Sequence, residues 1–372
     1  MNRRRTALSV VVVMVVAAVI GAAGSVTPAA AGVRSTNGHS LNGRANTSYA
    51  AADTAMSKRV AKDHLDGAGL VVVHDQTVVH RRWFGSLRGT TRIPIASASK
   101  WLTAATVMTF VDAGRLALDD PVARYLPAFQ GAKAAVTVRE LLDHTSGLPT
   151  PSCIGDPAMT LATCVGRIAT GPDPTSVPGR EFHYSPVGYA IAGRLIEVLG
   201  GARFADVFVS RIASPLGMKA TRFDALGSSL DNPDPAASAA STVDDYLRFL
   251  DMVNHFGLAG DRRVLSDASV REIERDQVAG IDTSADFAVQ ITKIPTYGLG
   301  VWRDVVGPAD EPLVVSGNGA FGFYPWVDRR DGTVGIVGVA DLRNGSEHAV
   351  PASQRIARML WTAAAGVRPG DG

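Results

Sequence analysis

Neither sign of charge is in surplus: 37 Lys plus Arg stand against 35 Asp plus Glu, a formal net charge of +2 over 372 residues. That balance gives no reason to expect a nucleic acid or an acidic surface as partner. Cysteine is nearly missing; the two present, Cys153 and Cys164, are too few for a disulfide scaffold or a cysteine-rich zinc site. Internal repeats are missing, and so are a G-x-S-x-G elbow, an H-E-x-x-H helix and the Gly-Lys pair of a Walker A loop. No His/Asp/Glu grouping has ligand spacing, so neither a metal nor another cofactor is expected. The G-x-G-x-x-G match at Gly317, Gly319 and Gly322 runs into strand-like residues 323–327 where a dinucleotide site needs a helix, so nucleotide binding is set aside. Lysine is the scarce cation, six of the 37. With 46% hydrophobic residues over this length, a disordered or fibrous chain is excluded and a substantial core is affordable.

The first thirty-one residues read as an address. Arg3, Arg4 and Arg5 precede an uncharged run from Thr6 to Gly32 that closes with Ala29-Ala30-Ala31. A basic start, an apolar stretch and a small-residue site make a secretory signal peptide over 1–31, cut after Ala31. The competing reading is an uncleaved anchor, since a span needs about 20 apolar residues. Cleavage takes three arginines from the total and leaves −1. A secreted or cell-envelope protein with no stable membrane partner is then expected. Export also gives the cysteines meaning, because a disulfide persists in an oxidising compartment. Cys153 and Cys164 stand eleven positions apart in a Pro/Gly-rich stretch. A bridge there contributes roughly 2–3 kcal/mol in the chain-entropy model; the alternative is two separate buried thiols.

Residues 32–48 are small and polar and read as a flexible tether. A helical pattern over 49–65 leads into two β-rich runs, 70–74 and 77–80, separated by Asp75-Gln76, which is a hairpin pattern. Strand-like runs return at 297–302, 313–328 and 334–341, and a helix over 351–365 closes the fold. Between these ends the signals are helical. Ser99 to Gly114 has apolar residues at helical spacing, Thr137 with Glu140 is a capping box, Pro186 to Gly200 is bounded by Pro and Gly, and another helix begins at Thr242. Residues 232–240 read as an Ala/Pro/Asp-rich linker. The pattern is α/β plus all-α: an antiparallel sheet from the N- and C-terminal segments, flanked by helices, with an inserted helical domain and a cleft at their junction. The parts fall at about 49–100 with 290–367, and 101–289.

The chemistry lies in Ser97-Ala98-Ser99-Lys100. One helical turn separates Ser97 from Lys100, so both side chains leave the same face. An amine there takes the hydroxyl proton once its surroundings leave some of it neutral, and a helix start presents N–H groups where an oxyanion would form. The tetrad alone is a common chance match, and its bland reading is a cap followed by a solvated lysine. Its setting between Ile93-Pro94-Ile95-Ala96 and Trp101-Leu102 favours a buried, tuned amine instead.

Residues 95–100, then Asp119-Asp120-Pro121-Val122, then Leu141-Leu142-Asp143-His144-Thr145-Ser146-Gly147-Leu148 closely resemble the serine β-lactamase-related family of class C β-lactamases, D-alanyl-D-alanine peptidases and related esterases and amidases. The resemblance covers roughly residues 50–365 and implies a β-lactamase/transpeptidase-like fold within a domain at 49–367. It implies Ser97 as the acylated nucleophile, Lys100 as its proton partner, and His144 in a structural turn. The family's Tyr-x-Asn is matched by Tyr184-Ser185-Pro186, which implies Tyr184 as proton shuttle beside the lysine but replaces the usual amide with Pro186. The third motif, Lys-Thr-Gly or His-x-Gly, falls in the segment from Val314 to Trp326. Ser316 or Val314 stands at the basic position, and Gly317 or Gly319 is the second oxyanion donor.

The missing cation bears on substrate, because β-lactams and D-alanyl peptides carry a carboxylate that wants one. A neutral ester or amide is the expected small-molecule substrate, unless Arg303 or Arg343 compensates. Phe321, Phe323, Tyr324 and Trp326 suggest an aromatic rim. The expectation is a monomeric secreted serine hydrolase, esterase- or amidase-like, working through a Ser97 acyl-enzyme. The alternatives are a β-lactamase or D-alanyl-D-alanine carboxypeptidase acting on peptide-like substrates, or a non-catalytic binding or sensor protein on the same fold.

Overall fold

The computed structural model describes residues 49–366; the signal peptide read at 1–31, with its cut after Ala31, and the tether at 32–48 lie outside the described residues. Helix α1 (Ala50–Lys62) leads into strands β1 (Gly67–His74) and β2 (Thr77–Gly85). Their two-residue turn places Asp75 and Gln76 at φ +45° and +59°, the doubly left-handed geometry that matches the twist of a tight hairpin. The rest of the sheet comes from the C-terminal part: β3 (Trp302–Val306), β4 (Pro312–Ser316), β5 (Tyr324–Asp328) and β6 (Thr333–Gly338). The order β2-β1-β6-β5-β4-β3 is antiparallel at every step.

Alternation along the strands divides the sheet's faces. Leu70, Val72, Tyr324, Trp326 and Val337 pack with α1 and the last helix, α7 (Ser346–Ala365), whereas Val71, Val315, Val327 and Ile336 pack toward the helical region. On the first side the buried Arg59 pairs with Asp63 at 3.4 Å and donates to Ser353 at 2.6 Å, while His348 sits 2.8 Å from Asp63. Arg59 supplies the positive charge among Asp63, Asp341 and His348, tying α1 to α7.

The inserted helices are α2 (Ser99–Asp112), α3 (Val138–Leu142), α4 (Leu161–Thr170), α5 (Val187–Gly200) and α6 (Val243–Asn254). Helix α2 is the axis of this region: residues 99–110 are all buried, so neighbours surround it and it has no solvent face. Thr137 closes its capping box on Glu140 to start α3, and Gly201 at φ +68° ends α5.

Three elements differ from the sequence reading. Residues 313–328 form two strands, because the chain leaves the sheet between Ser316 and Tyr324. The run at 297–302 makes only an isolated bridge, Tyr297 with Trp302. Helix α7 begins at Ser346 and carries Pro351 inside; contacts of His348 and Ala349 with Asp63 and Arg59 hold the turn before the proline.

Candidate active site

Ser97 sits in a single 3-10 turn, Ala96–Ala98, that feeds directly into α2. Ala96 has φ +45°, a left-handed conformation that costs a residue with a Cβ about 1 kcal/mol or more. The strain is held in place from both sides: Ala98 N–H donates to Ile95 at 3.2 Å, and the Ser99 hydroxyl donates to Ala96 at 2.6 Å while accepting the N–H of Ala239 at 3.1 Å. Lys100 is 3% exposed. Its Nζ lies 3.1 Å from Ser97 Oγ and 3.2 Å from the carbonyl of Ala236. A buried amine lies within hydrogen-bond reach of a partly exposed serine hydroxyl, an arrangement in which the amine can accept the hydroxyl proton.

The lysine's other neighbours are rings. Nζ stands 4.5 Å from the centroid of Tyr184 and 5.5 Å from that of Tyr189, so the ammonium meets the negative faces of two phenols. This differs from the proton shuttle expected beside the lysine: among the described residues the Tyr184 phenol makes no hydrogen bond to Lys100 or Ser97. The ring is held flat by its neighbours, stacked on Trp302 at 5.4 Å and against His144 at 4.4 Å. The Tyr184 N–H donates to Asp286 at 2.9 Å, fixing the backbone beneath it.

His144, in the left-handed region at φ +66°, accepts the Ser185 N–H at Nδ1, 3.2 Å away. That bond places its proton on Nε2, and burial together with the nearby Lys100 charge holds the ring neutral by pushing its pKa well below the ordinary value. Burial raises the adjacent Asp143 carboxyl to about 7, against the hydrogen bonds it accepts from Thr145. Burial likewise raises the Asp234 carboxyl, and Lys100 opposes that rise.

The opposite wall is the extension of β4. A Cβ on Gly317 would meet Trp101 at 2.9 Å, and one on Gly319 would meet the Ile95 carbonyl at 2.1 Å and the Ala96 Cβ at 3.5 Å. These glycines therefore face the nucleophile turn and let the strand lie against it. Their N–H groups, expected as oxyanion donors, are already engaged: Gly317 donates to Pro325 at 3.1 Å and Gly319 to Phe323 at 2.8 Å. In an antiparallel ladder successive N–H groups point to opposite edges. The free edge therefore receives the N–H of Asn318, which has no protein acceptor among the described residues. A period of two also puts Val315, rather than Ser316 or Val314, on the face toward the helical region, where it is fully buried in the core and does not meet the cleft. Ser316 is fully buried on the other face, beside Tyr324 and Asp304, so it does not meet substrate.

Neither Arg303 nor Arg343 replaces the missing cation. Arg303 is buried and paired with Asp310 at 2.9 Å and Asp276 at 3.3 Å, and Arg343 donates to the His64 carbonyl at 2.8 Å. The aromatic rim is thinner than expected: Phe323, Tyr324 and Trp326 are fully buried core residues, and only Phe321 is half-exposed. Cys153 and Cys164 form a disulfide, both cysteines buried. Two site features escaped sequence reasoning. Asn318 was signalled by the glycines that flank it, through simple alternation. Ala236 had no signal, since it acts through a backbone carbonyl 136 positions from its lysine.

A strained serine turn, a buried lysine and a glycine-relieved strand define a serine hydrolase of the β-lactamase/transpeptidase-like fold. The Beta-lactamase family matches residues 52–358, and the chain belongs to that family. The chain is 34% identical over 268 residues to Penicillin-binding protein 4 of Amycolatopsis lactamdurans, covering 59% of itself and 68% of that protein. It is 27% identical over 217 residues to Protein flp of Staphylococcus aureus strain MW2, covering 52% of itself and spanning less than half, 44%, of that relative. Among solved structures, a candidate β-lactamase from Bacteroides dorei DSM 17855 superposes with a TM-score of 0.76 at 32% identity, over 83% of this chain and 98% of that one. EstCE1, described as a hydrolase with promiscuous acyltransferase activity, gives 0.68 at 18% identity over 85% and 99%, which shows a shared fold alone.

Proposed function

We propose that the protein is an exported esterase or amidase that turns over neutral substrates through a Ser97 acyl-enzyme. The observation that carries this reading is the 3.1 Å contact between Ser97 Oγ and a lysine that is 3% exposed. The fraction of Lys100 that is neutral takes the hydroxyl proton as Oγ attacks the carbonyl carbon. The N–H groups of Ser97 and Asn318 receive the oxyanion as the tetrahedral adduct forms. As it collapses, the proton returns to the leaving alcohol or amine. Water then attacks the ester of Ser97, and Lys100 receives and returns a proton again. Tyr184 shapes the lysine's surroundings through its ring face. Substrate neutrality rests on the engagement of Arg303 and Arg343, which leaves a substrate carboxylate without either as a partner.

Incubation with a hydrolysable p-nitrophenyl ester is expected to add the acyl mass to Ser97. Ser97→Ala is expected to remove both the label and turnover, a loss on the order of a thousandfold or more. Full esterase activity in Ser97→Ala overturns the assignment. A second reading, a penicillin-recognising enzyme, draws on the Amycolatopsis relative. A β-lactam that acylates Ser97 faster than short-chain esters would favour it.

A further inference from the structure

The lysine's carbonyl partner, Ala236, belongs to a strap over residues 231–239 that runs between α4, the disulfide loop and α2. At one end the fully buried Asn232 donates through Nδ2 to the carbonyls of Cys153 at 2.8 Å and Asp156 at 2.9 Å. There too Asp231 accepts the N–H of Leu161, the first residue of α4, at 2.7 Å. In the middle Thr103 donates to the Pro235 carbonyl at 2.7 Å, and Asp234 accepts the Ala236 N–H at 2.8 Å. At the far end Ala239 donates to Ser99 at 3.1 Å. Pro233 and Pro235 fix two φ angles of the strap, so a displacement at Asn232 is passed along rather than absorbed. The disulfide joins the two pieces that hold the anchored end: Cys153 lies in the loop whose carbonyls Asn232 binds, and Cys164 lies in α4.

We propose that the Cys153–Cys164 disulfide, acting through Asn232 and the strap, positions the Ala236 carbonyl on Lys100 and so sets that lysine's readiness to take the Ser97 proton. Asn232 is a positioning residue here, and the proposal rests on the Ser97–Lys100 reading above. The charged and titratable groups facing the ammonium are Asp234 on the strap, His144 after α3, and Tyr184 and Tyr189 before and within α5. The Ala236 carbonyl accepts more strongly from the protonated amine than from the neutral one, so withdrawing it weakens the amine's hold on a proton: less of it is charged at rest, and it draws the Ser97 proton less strongly.

Both cysteines are buried, so the bond is removed by mutation rather than by reductant. In the Cys153→Ala/Cys164→Ala variant, and in Asn232→Ala with the disulfide intact, kcat for the p-nitrophenyl ester is expected to fall about tenfold to a hundredfold with KM little changed. The acidic limb of the kcat/KM profile is expected to move to lower pH in both, a shift that a general loss of stability does not produce. Folding is checked by a cooperative unfolding transition and stoichiometric labelling of Ser97. If the cysteine pair proves essential for folding, Asn232→Ala alone decides. Wild-type kcat and an unmoved acidic limb in a folded variant overturn the proposal while leaving Ser97 as nucleophile. Retained turnover in Ser97→Ala instead removes the reading beneath it.

Discussion

At the scale of single residues, the site depends on positions where a side chain would be in the way. Ala96 tolerates a left-handed backbone so that Ser97 stands out from the turn, and Gly319 lies flat against that turn. Gly319→Ala would drive a methyl into the Ile95 carbonyl, which is backbone and cannot rotate aside. The strand must retreat, taking the Asn318 N–H with it. A one-ångström misplacement of this kind costs about a hundredfold, so Gly319→Ala is expected to slow Ser97 acylation by about that factor, read by stopped-flow labelling. The variant should still unfold cooperatively, because the glycine lies at the site's edge and not within the sheet. An unchanged acylation rate would show that the strand does not supply the oxyanion donor.

At the scale of elements, short helices carry chemistry only if their ends are secured. Helix α3 is five residues long, and it ends immediately before Asp143 and the left-handed His144 that accepts the Ser185 N–H. So short a helix has little cooperative stability of its own. Its start is held by reciprocal bonds between Thr137 and Glu140, 3.3 Å from the Glu140 N–H and 2.7 Å from the Thr137 N–H. Thr137→Ala removes the hydroxyl acceptor and is expected to lower unfolding stability by about 1 kcal/mol, measured by denaturant titration with an unchanged slope. Helix α2 is secured differently, by burial on all sides, which explains how a lysine can be kept dry at its first turn.

At the scale of the whole molecule, the sheet carries a buried acid behind the active strand. Burial raises the Asp304 carboxyl to about 6, and the hydrogen bonds around it only partly oppose that rise. One oxygen accepts the Tyr324 hydroxyl and the other has no partner among the described residues. A carboxyl raised above its unfolded value of 3.8 stabilises the fold fully below that value, and the contribution is lost as pH rises through about 6. Asp304→Asn keeps the acceptor for Tyr324 and cannot ionise. Its melting temperature is therefore expected to exceed that of the wild type at about pH 8, with the gain vanishing near about pH 4. An equal gain at both pH values would place the effect in packing rather than ionisation. The described residues contain no helix long and apolar enough to cross a membrane.

Local chemistry made much of this legible in advance. The hairpin at Asp75-Gln76, the Thr137 capping box and the split of strands between the chain's two ends each follow from short-range rules, and each is present in the structure. The contact between Ser97 and Lys100 was legible too, because one helical turn brings them together. What adjoins them was not. Which N–H of the glycine strand is free depends on how β4 pairs with β5; whether Tyr184 offers its hydroxyl or its face depends on Trp302 and His144, distant in sequence. The aromatic residues at 323, 324 and 326 look the same in sequence whether they line a cleft or fill a core. The sequence by itself determined the fold class and the proximity of Ser97 to Lys100, because periodicity and one helical turn are local. Only the tertiary structure decided which N–H of the glycine strand is unengaged, the surroundings of the lysine and the pairing of Arg303 and Arg343, because each depends on edges, faces and backbone carbonyls brought together from afar.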